Sequence, residues 1–241
     1  MIEIKELKIA YAKEALLESI SLKIAKNLCI LGANGSGKSS LAKALCGLIP
    51  SEGEILIDGE KSTSLSLKER AKLLSYIPTK LEVYDTNIEV SAFVLLGRFA
   101  YKRDFFDYSH EDKKRAQKQL EFLHISHLSS KRLSELSSGQ KQLVLIAQAL
   151  TQESKVIIFD EPTANLDPKN SKLIATYIKK LTQEKQVLLI THDIALAHYM
   201  QAPVAFLKEK TLLYFEQDFF NKEQLQRLYG VTFDSMAVAY E

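Results

Sequence analysis

A glycine-rich stretch near the amino terminus has the residue types that bind phosphate. Residues 32–39 read GANGSGKS, which satisfies the pattern G-x-x-x-x-G-K-[ST]. An apolar run at residues 28–31 precedes this stretch and a helical pattern follows it, which is the context that the pattern requires. Glycines let successive backbone N–H groups point at phosphate oxygens, and the N-terminus of the following helix adds its positive dipole end. The sequence therefore predicts a cradle for the phosphates of a nucleotide.

Two side chains of this stretch have chemistry of their own. Lys38 is expected to neutralise the outer phosphates, and Ser39 is expected to offer a hydroxyl oxygen to Mg²⁺, which prefers oxygen ligands in octahedral geometry. The implied ligand is therefore ATP or GTP with magnesium. The residues expected to contact the nucleotide here are Gly32, Ala33, Asn34, Gly35, Ser36, Gly37, Lys38, Ser39 and Ser40.

Two consecutive carboxylates end a second apolar run. Residues 156–159 read VIIF and are followed by Asp160 and Glu161. Because the carboxyl ends of parallel strands meet at one edge of a sheet, this pair should lie beside the phosphate-binding stretch. Asp160 is expected to hold magnesium through water. Glu161 is the expected general base, or the group that orients an attacking water, so the pair predicts hydrolysis of the nucleotide.

Short apolar runs predict the sheet that positions these residues. Residues 28–31, 156–159 and 187–190 are apolar on both faces, and each is followed by small or polar residues and then a helical pattern. Between the runs, Leu41 and Leu45 share one face of a predicted helix. This alternation predicts an α/β fold with a parallel core sheet.

Other segments predict antiparallel pairing at the two ends of the chain. Alternating apolar residues at 2–5 and 53–59 indicate an antiparallel β subdomain near the amino terminus. Residues 204–207 and 212–215 flank a plausible turn and predict a hairpin. By contrast, residues 81–151 read as mostly helical and interrupt the alternation of strands and helices. The predicted organisation is one domain.

Within the one predicted domain, the nucleotide-binding core and β subdomain comprise residues 1–80 and 152–241. The inserted helical subdomain of that domain comprises residues 81–151.

Composition narrows the classes of partner. The chain has 241 residues, and its 32 Lys and Arg against 30 Asp and Glu leave a net charge of +2. That charge offers no basic field for nucleic acid, which is not an expected partner. No apolar run approaches the roughly 20 residues of a membrane-spanning helix, and Cys29 and Cys46 lack metal-ligand spacing. We expect a reduced cytosolic chain that does not cross a bilayer alone.

A third motif identifies a resemblance to a family. Residues 136–140 read LSSGQ and resemble the signature L-S-G-G-Q of the ATP-binding cassette family, the motor subunits of membrane transporters, with Ser138 in place of the first glycine. On its own the string also fits an ordinary serine N-cap. Its position between the phosphate loop and Asp160 matches the family, and the resemblance covers nearly the whole chain. It implies a P-loop NTPase cassette fold.

The resemblance implies further contacts with ATP. In this family the nucleotide lies between two cassettes, so the signature of one faces the phosphate loop of the other. Asp167, in residues 165–167, resembles the loop that crosses this interface, and His192 resembles the catalytic switch histidine that contacts the γ-phosphate. Tyr11 falls where the family places an aromatic residue that stacks on adenine, and it equally fits an aromatic residue on the sheet surface. The signature residues expected to bind nucleotide are Ser137, Ser138, Gly139 and Gln140.

One position departs from the family. The family carries a glutamine that touches magnesium where this chain has Thr79. Threonine keeps an oxygen, but it is shorter and its branched β-carbon restricts rotation. We hypothesise that Thr79 reaches magnesium through a water, or that Asn87 partly substitutes, and that hydrolysis is slower or less tightly coupled as a result.

The resemblance also implies partners and a location. Two composite sites need two cassettes, so the implied assembly is a homodimer on an integral-membrane permease, at the cytoplasmic face of the inner membrane. Residues 94–99 and 228–231 resemble the importer branch for metal chelates such as iron-siderophores, haem or cobalamin, which acts with an external substrate-binding protein.

Alternatives remain open at this stage. An exporter motor is the nearest of them, and a soluble cassette ATPase of DNA repair is disfavoured because the chain has no heptad tract. A small P-loop kinase would leave residues 136–140 and His192 unexplained.

Overall fold

The computed structural model describes residues 1–11, 14–81, 85–102, 107–231 and 240, with Tyr11 described in its main chain only. Within these residues the strands are, in chain order, β1 (Ile2–Tyr11), β2 (Glu14–Ile24), β3 (Leu28–Gly32), β4 (Glu52–Ile57), β5 (Glu60–Lys61), β6 (Leu74–Ile77), β7 (Val156–Asp160), β8 (Gln186–Ile190), β9 (Val204–Lys208) and β10 (Thr211–Phe215). The α-helices are α1 (Lys38–Leu45), α2 (Leu67–Leu73), α3 (Val90–Leu95), α4 (His110–Phe122), α5 (Ser138–Thr151), α6 (Pro168–Leu181), α7 (Ile194–Met200) and α8 (Lys222–Tyr229). Short 3-10 helices occupy Ser62–Ser64, Leu96–Tyr101, Ser126–Leu128 and Leu133–Glu135.

The strands form two sheets, which confirms the predicted α/β fold with an antiparallel sheet at the amino terminus. One sheet has the order β2-β1-β4-β5, and its neighbouring strands are antiparallel. The other has the order β10-β9-β3-β8-β7-β6, and it is parallel from β9 to β6. The predicted hairpin is also present, because β9 and β10 pair antiparallel across a turn at Glu209 and Lys210.

The parallel strands are buried on both faces, as their apolar runs predict. Alternate residues of β3 face opposite layers: Leu28 and Ile30 pack with Leu41 of α1, whereas Cys29 and Leu31 belong to the core built with α5, α6 and α7. Burial raises the pKa of the Cys29 thiol to about 12, so this thiol stays protonated. The sheet is therefore a rigid base for the loops that leave its carboxyl edge.

The regular elements among the described residues between β6 and β7 are helices. Helices α3, α4 and α5 pack on one another, and an isolated bridge between Glu89 and Arg132 is the one strand-like pairing among the described residues of this stretch. Buried Arg98 ties the bundle together, since it donates hydrogen bonds to Asp112 at 2.8 Å and to Glu153 at 2.9 Å. In the described part of the chain, no helix combines the length and the apolar character that a membrane span needs.

Candidate nucleotide-binding site

Four parallel strands bring the predicted site residues to one edge of the larger sheet. β8 lies between β3 and β7, since Ile190 pairs with Ile30 on one side and with Asp160 on the other. The phosphate loop therefore leaves β3 on one side of the segment that carries His192, and Asp160 ends β7 on the other side. Side chains that are distant in sequence meet here because strand register places them together.

The phosphate loop turns tightly into α1. Gly37, at φ +97°, is the N-cap residue of α1 and adopts a left-handed conformation that glycine tolerates without strain. Lys38 folds back over the loop, where its Nζ donates hydrogen bonds to the carbonyl oxygens of Gly32 at 2.9 Å and Ala33 at 3.0 Å. Lys38 is 6% exposed, and burial lowers the pKa of its ammonium, although the nearby carboxylates of Glu161 and Asp160 oppose that shift. The ammonium is thus held where phosphate charge is expected.

Asp160 is a buried carboxylate that accepts two hydroxyl hydrogen bonds. It is 2% exposed. The Oγ of Ser39 donates to its Oδ1 at 2.9 Å, and the phenol of Tyr76 donates to its Oδ2 at 2.7 Å. The first contact brings together two of the three predicted magnesium ligands. The second was not predicted, because Tyr76 reaches Asp160 only through the pairing of β6 with β7.

Glu161 lies between Lys38 and His192. Its Oε2 accepts hydrogen bonds from the His192 backbone N–H at 3.3 Å and from Thr191 Oγ1 at 3.2 Å, and it lies 2.9 Å from His192 Nδ1. Its Oε1 lies 3.9 Å from Lys38 Nζ. The backbone of Glu161 is left-handed at φ +50°, which turns the chain sharply after β7. His192 is 53% exposed, so its ring is open to an incoming molecule while Glu161 orients it.

The signature residues occupy the N-terminus of α5. Ser137 and Gln140 form a capping box, in which the Ser137 side chain accepts from the Gln140 N–H and the Gln140 side chain accepts from the Ser137 N–H. Both Ser137 and Ser138 are exposed. A β-carbon on Gly139 would lie 2.7 Å from the side-chain Cγ of Asn170, so a larger residue at this position would require that side chain of α6 to move.

Asp167 caps α6 next to this contact. It accepts a hydrogen bond from the Asn170 N–H at 3.0 Å, and this bond holds the pKa of the Asp167 carboxyl below its ordinary value. The signature and residues 165–167 therefore share one surface. Among the described residues, no hydrogen bond or ion pair joins the signature to the phosphate loop within one chain.

Three expectations concern Thr79, Asn87 and Tyr11, and the structure describes the side chains of the first two. Thr79 is half-buried just after β6, and Asn87 is exposed with its backbone N–H donating to Asp85. Neither side chain hydrogen-bonds to Ser39, Asp160 or Glu161 among the described residues. Tyr11 ends β1, and its side chain, which carries the stacking prediction, lies outside the described residues.

The tyrosine of the 228–231 motif lies close to the same edge. Tyr229 ends α8 and packs edge-on against Phe206, with ring centroids 5.1 Å apart. Burial, with a smaller contribution from the Glu161 charge, raises the pKa of Tyr229 to about 12. Tyr229 of this motif therefore packs on β9 and is close enough to Glu161 to be affected by its charge.

The geometry fits a nucleotide with magnesium. The Oγ of Ser36 is buried and has no hydrogen-bond partner among the described residues, and the N-terminus of α1 has no side-chain cap. Both features leave polar groups for phosphate oxygens to satisfy. Ser39 and Asp160 supply one hydroxyl and one carboxylate, a donor set that suits magnesium bound together with substrate phosphates.

Comparison with known proteins agrees with this geometry. Residues 17–164 match the family model described as ABC transporter. A Helicobacter pylori protein named "Probable iron chelatin transport ATP-binding protein" is 36% identical over 218 residues, which cover 88% of this chain and 85% of the relative.

Solved structures show the same likeness. A transporter described as metal-chelate type, in an inward-facing conformation, matches with a TM-score of 0.82 and 25% identity over 96% of this chain and 89% of that chain. The dimeric cassette MJ0796, bound to ADP and Pi in a post-hydrolysis state, matches with a TM-score of 0.78 and 27% identity over 91% of this chain and all, 100%, of that chain.

Proposed function

Because this chain belongs to the ABC transporter family, we propose that it hydrolyses ATP to drive a membrane permease that imports a metal complex such as an iron-siderophore, haem or cobalamin. The chain is an ATP-binding ATPase of that family, and the cargo and direction are the proposed parts. One observation carries the proposal: Lys38, Glu161 and His192 lie together at the edge of the larger sheet, where the phosphate loop leads into α1.

Binding begins with Lys38. In the nucleotide-free chain its ammonium bonds to the loop carbonyls of Gly32 and Ala33. ATP offers it phosphate oxygens instead, which form stronger charge-assisted hydrogen bonds. The first N–H groups of α1 and the hydroxyl of Ser36 have free capacity for the same phosphates.

Ser39, Asp160 and Thr79 are the residues that we propose for the magnesium site. When bound, magnesium neutralises charge on the β- and γ-phosphates. Ser39 would offer a lone pair of its hydroxyl oxygen to the metal while donating its hydrogen to Asp160, and Asp160 would hold the metal through water. Thr79 stays a proposed ligand through water, because its side chain is too short to repeat the reach of glutamine.

Glu161 is the proposed general base. Its carboxylate has an open hydrogen-bonding position between Lys38 and His192, and it accepts a proton from a water aligned with the γ-phosphate. His192 keeps one ring nitrogen on Glu161, so the exposed face of the ring is left to contact the γ-phosphate.

A second copy completes the site. Ser137 and Ser138 are exposed at the N-terminus of α5, whereas Gly139 is buried and Gln140 is partly buried. Among the described residues, neither these four nor the nearby Asp167 has a bond to the phosphate loop of the same chain. We propose that they bind the nucleotide of the partner cassette in a homodimer, an arrangement supported by the dimeric form of the MJ0796 cassette. ATP closes this dimer, and phosphate release reopens it.

The helical insertion is the proposed link to the permease. We assign residues 81–151 to a helical subdomain and residues 1–80 and 152–241 to the core and β subdomain. The dimer then sits at the cytoplasmic face of the inner membrane, with the permease between it and an external substrate-binding protein. Nucleic acid has no role in this assembly.

Affinity purification tests the assignment. The chain is tagged in its native cell, the membranes are solubilised gently, and co-purifying proteins are identified by mass spectrometry. A many-spanning permease encoded with a substrate-binding protein supports an importer. A permease without one indicates an exporter, and recovery from the soluble fraction alone would contradict the proposal.

A further inference from the structure

The phenol of Tyr76 hydrogen-bonds to the carboxylate of Asp160 from a neighbouring strand. β6 pairs in parallel with β7, and Tyr76 lies opposite Ile158, two residues before Asp160. The length of the tyrosine side chain carries its hydroxyl along the strand to Asp160 Oδ2, at 2.7 Å. The ring packs on the apolar layer that contains Ile158 and Leu188. The hydroxyl is thus aimed by a rigid ring on a buried sheet.

Asp160 has one hydroxyl donor on each of its two carboxylate oxygens. A buried carboxylate without hydrogen-bond donors is costly, and in the nucleotide-free chain Ser39 and Tyr76 supply one donor to each oxygen. Ser39 can offer a lone pair to magnesium while its hydroxyl hydrogen stays on Asp160 Oδ1. Tyr76, which is not a proposed metal ligand, donates to the other oxygen, Oδ2. The two bonds together fix the rotation of the carboxylate.

We propose that Tyr76 is a positioning residue that orients Asp160 for magnesium. This inference rests on the proposed function, because it assigns Asp160 to the metal. Through Tyr76, β6 makes a polar contact with the site. Thr79 lies beyond the end of the same strand and makes no hydrogen bond to Asp160 among the described residues. Groups that hydrogen-bond to a metal ligand hold its orientation and tune its basicity, and their loss typically costs about tenfold or more in metal affinity.

The test compares Tyr76→Phe with the unaltered chain in nucleotide binding. Phenylalanine keeps the ring and removes only the hydroxyl. Fluorescent ADP is titrated into the purified full-length chain with Mg²⁺ and again with EDTA, so that hydrolysis plays no part. We expect the gain in affinity that Mg²⁺ gives to fall about tenfold in Tyr76→Phe, while affinity in EDTA stays unchanged. Tyr214→Phe is the matched control, since it removes a phenol hydroxyl from exposed β10.

A second readout separates positioning from general damage. The Mg²⁺ concentration for half-maximal ATPase activity should rise about tenfold in Tyr76→Phe, with kcat at saturating Mg²⁺ kept. An unchanged Mg²⁺ gain in Tyr76→Phe would overturn the inference, and so would an equal loss of affinity with Mg²⁺ and with EDTA. If the unaltered chain itself bound ADP no better with Mg²⁺, the assignment of the magnesium site would fail first.

Discussion

At the scale of single residues, charged groups and hydroxyls of the site lie next to one another, so the position of each side chain depends on its neighbours. Lys38 lies 3.9 Å from Glu161, and Glu161 lies 2.9 Å from His192. The motif residues of this chain were predictable because each motif is continuous in sequence. The contact from Tyr76 to Asp160 was not, because it depends on the register of two strands that are 84 residues apart at the contacting positions.

Removing the lysine ammonium tests its proposed role directly. Lys38→Ala should abolish ATP hydrolysis and weaken ATP binding at least about tenfold, because the phosphates lose their main counterion. Steady-state ATPase assays measure the rate of hydrolysis, and equilibrium nucleotide titration measures the affinity for ATP. Lys43→Ala, at the other end of α1, is the control and should retain both. A fully active Lys38→Ala chain would contradict the role.

The departure at Thr79 makes a separate prediction. Thr79→Gln restores the side chain that reaches magnesium in the family, so turnover or its stimulation by the permease should rise severalfold if threonine limits either one. The measurement is ATPase activity with and without the reconstituted permease. Unchanged values for both would show that threonine imposes no cost here.

At the scale of elements, the short motif at residues 94–99 has a packing explanation. A β-carbon on Gly97 would lie 2.3 Å from the carbonyl oxygen of Gln148, so glycine lets the 3-10 helix Leu96–Tyr101 approach α5. The next residue, Arg98, then enters the bundle and pairs with Asp112 and Glu153. The helical character of this stretch was predictable from its sequence, whereas the buried arginine was not, because its partners come from two other segments.

Arg98→Met should destabilise the helical bundle. Removing one member of a buried, hydrogen-bonded charge cluster leaves the other charges unpaired, and we expect a loss of about 3 kcal/mol in the free energy of unfolding. Urea unfolding followed by circular dichroism measures it. Arg227→Met, at an exposed position of α8, should change the value by less than about 0.5 kcal/mol. Equal stability of the two variants would contradict the account of the cluster.

The same cluster predicts sensitivity to acid. Burial raises the pKa of the Asp112 carboxyl, but hydrogen bonds from Ser109 and Arg98 outweigh burial and leave the pKa below its ordinary value of 3.8. Because the pKa is lower in the folded chain than in the unfolded one, Asp112 stabilises the fold above that value and loses this effect as the pH falls. The free energy of unfolding should therefore drop between about pH 5 and pH 3 by more in the unaltered chain than in Arg98→Met. Parallel declines would exclude Arg98 as the cause.

At the scale of the whole molecule, the residues of the proposed nucleotide site lie in two groups, each of them a proposed half-site. The phosphate loop, Asp160 and Glu161 gather at the carboxyl edge of the larger sheet, and the signature shares the N-terminus of α5 with the nearby cap of α6. The α/β class and the order of the motifs were predictable from apolar runs. The separation of the two half-sites was not visible in residue spacing, and the resemblance to a family supplied it.

The central claim is that two copies of this chain close on ATP at those two surfaces. The most direct test is the mass of Glu161→Gln in solution, because this variant keeps the hydrogen-bonding shape of the side chain and lacks the base, so bound ATP persists. Light scattering after size-exclusion chromatography with ATP and Mg²⁺ should give twice the monomer mass, and adding Ser137→Arg should return the monomer while ATP stays bound. A Glu161→Gln chain that binds ATP and remains a monomer at every concentration would contradict the account.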